Sequence, residues 1–67
     1  MSGADPVRDM VHDLRNRLGA IASAASAIRK SQYEKEFSEE MIEIIRSNVD
    51  RVIETINGFA SREGERT

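Results

Sequence analysis

The only histidine of this chain, His12, stands in the run Val11-His12-Asp13-Leu14-Arg15-Asn16-Arg17-Leu18. Imidazole is largely neutral near pH 7, with a free lone pair on one ring nitrogen. With an acid beside it and an amide one turn on, an exposed imidazole on a helix can accept a phosphoryl group. A carboxylate that accepts from the other ring N–H fixes the tautomer and stabilises the charge that builds during attack. On a helix the same-face neighbours of His12, three and four residues away, are Arg8, Asp9, Arg15 and Asn16. Asp13 lies about 100° round the axis and reaches the ring only through a leaning rotamer. Spacing alone therefore leaves Asp9 and Asp13 as equal candidates for the carboxylate. Arg15 can steady phosphate oxygens or contact an acidic partner, or it can be an ordinary solvated residue. Asn16, one turn along, is either a working amide or plain polar surface. A lone surface histidine is more often solvated or structural than reactive, so the surrounding pattern has to decide.

The elements that must hold these residues are constrained by size. With 67 residues the chain makes one small domain at most. Such a chain buries little of its surface and is marginal alone. It has no cysteine, so no disulfide can staple it, and with one histidine a structural zinc site is not expected. Oligomerisation is the remaining common route to stability. Charged residues make up 33% and aromatics 4%, a mix that suits long helices better than strands. The net charge of −2 comes from ten basic and twelve acidic residues spread along the chain, which gives no footprint for nucleic acid. No run of 18 apolar residues is present, and Met1-Ser-Gly-Ala-Asp-Pro lacks the apolar centre of a signal peptide. The expectation is a cytoplasmic domain without membrane contact of its own, whose parent protein can still be membrane-anchored.

Asp5-Pro6 is a helix start, the aspartate capping free backbone N–H groups and proline occupying the first helical position. Val7, Val11, Leu14, Leu18, Ile21, Ala25 and Ile28 then follow in steps of four and three, a heptad seam widened by Met10. Helix one is expected over about 6–29, and a connector over about 30–37. Helix two is expected over about 38–61, capped by Ser38 with Glu39 and Glu40 in its first turn. Its seam is Ile42, Ile45, Val49, Val52, Ile56 and Phe59, with Met41, Ile44 and Ile53 beside it, broader than a two-stranded seam needs. Gly58 weakens it, and Gly64 marks its end or a linker. Two helices with a short link make an antiparallel hairpin. The spare apolar positions call for a second copy, giving an all-α fold in which hairpins dimerise into a four-helix bundle. Ala20 to Ala27 is small-residue surface, expected either to seat a neighbour closely or simply to favour helix.

The run from His12 to Leu18 resembles the phosphoacceptor box of sensor histidine kinases: His, acid, any residue, Arg or Lys, Thr or Asn, Pro, Leu. Six of the seven positions agree, and Arg17 stands where the family usually has proline. The resemblance extends over nearly the whole chain, as box on helix one, connector and apolar helix two. It is the layout of the dimerisation and histidine-phosphotransfer (HisKA) domain of two-component systems. The resemblance implies that His12 is the phosphoacceptor, Asp13 its acid partner and Asn16 the residue that positions a hydrolytic water for phosphatase activity. It further implies a homodimer and two domain partners. One is a separate ATP-binding catalytic domain, using ATP and Mg, that phosphorylates His12. The other is a response-regulator receiver that takes the phosphoryl group onto an aspartate, docking on the lower flank of helix one and the adjoining helix two. With Gly3, Gly19, Gly58 and Gly64 as its only glycines the chain has no nucleotide loop, so it binds no cofactor and is not expected to act as a kinase by itself. A histidine-phosphotransfer protein and a plain helical oligomerisation module are the competing readings. Proline would break a hydrogen bond and bend the helix just past His12; with Arg17 helix one is expected to run straight, with some looseness restored at Gly19.

Overall fold

In the computed structural model the chain forms two α-helices, α1 (Pro6–Lys30) and α2 (Lys35–Arg66). The structure describes residues 5–66, with side chains as far as Ser61, and no strand occurs among them. Asp5 caps α1: its side chain accepts from the Arg8 N–H at 3.1 Å, ahead of Pro6 at the first helical position. Such a cap is worth about 1 kcal/mol. Arg29 and Lys30 end the helix where positive charge suits its dipole. α1 continues through Arg17 without interruption.

The connection is shorter than the sequence pattern suggests. The Gln32 N–H donates to the Arg29 carbonyl at 2.9 Å and the Tyr33 N–H to the Ile28 carbonyl at 3.0 Å. This is a Schellman ending, built here without glycine: Gln32 and Tyr33 take the left-handed conformation, at φ 61° and 62°. The Ser31 hydroxyl donates to the Ile28 carbonyl at 2.7 Å and accepts from the Glu34 N–H at 3.2 Å. The Glu34 carboxylate then caps α2, accepting from the N–H groups of Phe37 at 2.8 Å and Glu36 at 3.3 Å. α2 therefore starts at Lys35, three residues before the start expected at Ser38. Ser38 instead lies inside the first turn, its N–H bonded to the Glu34 carbonyl and its Oγ covered without a hydrogen-bond partner. At the far end α2 passes through Gly58 and Gly64 and stays helical to Arg66.

At 1.5 Å per residue, the 32 residues of α2 span about 48 Å, which is the longest dimension of the 48 × 26 × 11 Å molecule. The helices lie side by side as one layer. On α1 the side chains that lose solvent on pairing follow a seven-residue repeat, Met10, Arg17, Ala24 and Ser31, flanked by Leu14, Ile21 and Ile28. On α2 they are Ser38, Ile45, Val52 and Phe59, with Met41 and Asn48 alongside. Ala24, 5% exposed, is the one buried residue among those described. Small side chains at Ala20, Ala24 and Ala27 on this contact line let the helix axes approach closely.

The helix-one seam read from the sequence is thus split between two faces. Leu14, Ile21 and Ile28 pack in the hairpin, whereas Val7, Val11, Leu18 and Ala25 stay exposed, Leu18 by 55%. On α2, Ile42, Ile53 and Ile56 are about half exposed. Helical spacing gathers the exposed positions of α1 within about 40° and those of α2 within about 60°, on the same side of the hairpin. The cause is architectural: a helix in a bundle faces two neighbours, and here only one is in place.

Left-handed backbone costs about 1 kcal/mol or more at a residue with a side chain. Gln32→Gly should therefore stabilise the fold by about 0.5–1 kcal/mol and Gln32→Val should destabilise it. Urea unfolding at one fixed protein concentration measures both; no gain with glycine would contradict the turn geometry.

Candidate functional site

His12 lies two turns into α1 and is exposed. Its direction follows from helix geometry. It points about 140° away from Arg17, on the line that meets α2, and about 120° away from Leu18 on the exposed apolar stripe. The imidazole thus belongs to a third face, kept out of the hairpin contact and off the greasy side. Asn16 lies one turn on and only about 40° round, so its amide shares that face. It is exposed, as are Arg15, Arg8 and Asp9. The His12 and Asn16 side chains both stand clear of the hairpin contact and of the apolar stripe.

Asp13 is placed differently. It is half-buried at the edge of the hairpin contact, where its Oδ2 accepts from Arg17 Nε at 3.1 Å. The Arg17 Nη1 group donates across to Asn48 Oδ1 of α2 at 3.4 Å. The Asn48 amide turns its other end to its own helix, Nδ2 donating to the Ile44 carbonyl at 2.9 Å. That bond orients the amide with its oxygen toward the guanidinium. The carboxylate thus spends its hydrogen bond on Arg17, the residue at the family's proline position, and not on His12. With 30% of the Arg17 and 44% of the Asp13 side chain exposed, the pair contributes a few tenths of a kcal/mol. It is an ordering contact, weak enough to open.

Residue spacing already contained the Asp13–Arg17 pair, since the two are four apart on a helix. Asn48 carries no such signal, because its role depends on the register of the two helices. That register, which sets position 17 beside position 48, also brings Pro6 level with the region of Phe59. The last turns of α2 overhang.

Two other features complete the site. Ala22, Ser23, Ser26, Ala27 and Lys30 line a shallow surface groove beginning about 15 Å beyond His12 along α1. Its small side chains leave backbone close to the surface. No three His, Cys, Asp or Glu side chains come together as a metal site among the described residues. No helix among them is long and apolar enough to cross a membrane.

The sequence model of the His Kinase A (phospho-acceptor) domain matches residues 5–65. No curated protein and no solved structure matches the chain. The family match spans both helices and their turn, and it favours the sensor-kinase reading over a free phosphotransfer protein or a bare oligomerisation hairpin. The chain belongs to that family: it is a His Kinase A domain, the phosphoacceptor and dimerisation domain of sensor histidine kinases.

Proposed function

We propose that His12 is the phosphoacceptor of this domain. The observation that carries the reading is the exposure of the chain's one imidazole, on a face of α1 turned from both α2 and the apolar stripe. A lone pair of one ring nitrogen attacks the γ-phosphorus of an ATP held, with Mg, by a separate catalytic domain. The N–P bond forms, the bond to the β,γ-bridging oxygen breaks, and ADP leaves with that electron pair. The proton on the other ring nitrogen stays, making the ring an imidazolium that a carboxylate stabilises; Asp13 is the acid for that role. An aspartate of a receiver domain then attacks the phosphorus, and the imidazole recovers its lone pair. Asn16 orients a water against the receiver's aspartyl phosphate, which gives the domain a phosphatase activity. Arg15 contacts phosphate oxygens or the partner. The receiver lies along the groove at Ala22, Ser23 and Ser26 and the adjoining part of α2, where close backbone approach is possible. The homodimer forms through Val7, Val11, Leu18 and Ala25 with Ile42, Ile53 and Ile56, closing a four-helix bundle.

Incubation with ATP and the catalytic domain should place acid-labile label on the wild type and none on His12→Gln; label that survives the substitution overturns the assignment. Asn16→Ala should slow dephosphorylation of the receiver roughly tenfold or more while phosphorylation of His12 changes less than about threefold. Equal loss of both activities rejects the water-positioning role.

A further inference from the structure

We infer that Arg17 is a positioning residue that withholds Asp13 from His12, so that the reactivity of the imidazole is set by a strap between the two helices. The inference rests on His12 being the phosphoacceptor. Three observations support it. Asp13 Oδ2 is bonded to Arg17 Nε at 3.1 Å. Arg17 is held in turn by Asn48 of α2 at 3.4 Å. Asn48 is fixed by its own bond to the Ile44 carbonyl.

The chain of contacts draws the Asp13 carboxylate toward the hairpin groove. His12 lies about 100° round the helix from it, on the opposite side from Arg17. One carboxylate rotamer faces Arg17 and another faces the ring, and the two compete. An i,i+4 ion pair of this exposure biases such a competition about one and a half- to twofold. The Asn48 anchor adds to the bias by holding the guanidinium in the groove. A helix–helix shift that parts Arg17 from Asn48 removes the anchor and leaves only the pair within α1, so the acid more readily accepts the ring's Nδ1–H, which leaves Nε2 as the nucleophile. Arg17 acts only through Asp13. The other charged neighbours of the ring, Arg8, Asp9 and Arg15, lie exposed on α1 and are untouched by the strap.

The test uses the 67-residue chain with potassium phosphoramidate as phosphoryl donor, so that no catalytic domain enters. In that reaction Nε2 bonds to phosphorus, the P–N bond breaks, and ammonia leaves with its electron pair. The Nδ1 proton remains for Asp13 to hold. Arg17→Met keeps the apolar stem on α2 and removes the donors; Asn48→Ala cuts only the anchor. Circular dichroism confirms helicity of each. Arg17→Met should raise the labelling rate about twofold and increase the Nδ1–H tautomer of His12, read from its imidazole carbon and nitrogen resonances. Asn48→Ala should shift both in the same direction by less. Adding Asp13→Asn to Arg17→Met should cancel both gains. An unchanged tautomer in Arg17→Met, or a gain that persists without Asp13, overturns the proposal. A wild-type chain whose label does not depend on His12 overturns the phosphoacceptor reading instead, and the tautomer measurement still decides the role of Arg17.

Discussion

Two helices make one layer, and one layer cannot bury two apolar faces. This constraint governs the molecule. The hairpin spends one face of each helix on the other, along Met10, Arg17, Ala24 and Ser31 against Ser38, Ile45, Val52 and Phe59, and among the described residues only Ala24 is buried. A core needs a second layer. The second apolar stripe, from Val7 to Ala25 on α1 and from Ile42 to Ile56 on α2, is where that layer belongs. A second hairpin would supply it with the symmetry and packing of a four-helix bundle. The absence of any cysteine removes the alternative of covalent staples.

The same geometry leaves a third face of α1 free, and His12 and Asn16 sit on it. His12 and Asn16 need no special loop or cavity. A straight helix with two faces committed to packing presents the remaining one to partners. Exposure of this kind suits a group that must be reached by a bulky donor and then by a bulky acceptor. Asp13 sits at the boundary between the polar face and the hairpin contact. It is the residue through which the packing of α1 on α2 can be felt at the imidazole, because Arg17 joins it to Asn48.

Much of this was legible in the residues. Asp5-Pro6 announced the start of α1, since a capping carboxylate and a proline there act locally. Heptad spacing identified two helices, because burial on one side imposes the period whatever the partner. It could not tell which apolar residues face which partner. Leu14 and Leu18 read alike in the pattern, yet one is half-buried and the other exposed. The turn was harder. Its Schellman ending uses Gln32 where glycine is usual, and Glu34 caps α2 where Ser38 fits the common preference. Weak preferences lost there to a network of local hydrogen bonds. At the site, the exposure of His12 and Asn16 followed from their distance round the helix from the seam. The strap from Arg17 to Asn48 did not, because it depends on interhelical register, whereas the Asp13–Arg17 pair lay within ordinary helical spacing.

The molar mass of the 67-residue chain in solution tests the central constraint most directly. Sedimentation equilibrium at tens of micromolar, on helical protein, should return about 15 kDa, twice the chain mass of 7.5 kDa. A stably helical species of 7.5 kDa at that concentration would contradict it, since a lone hairpin would then be holding its second apolar face in water.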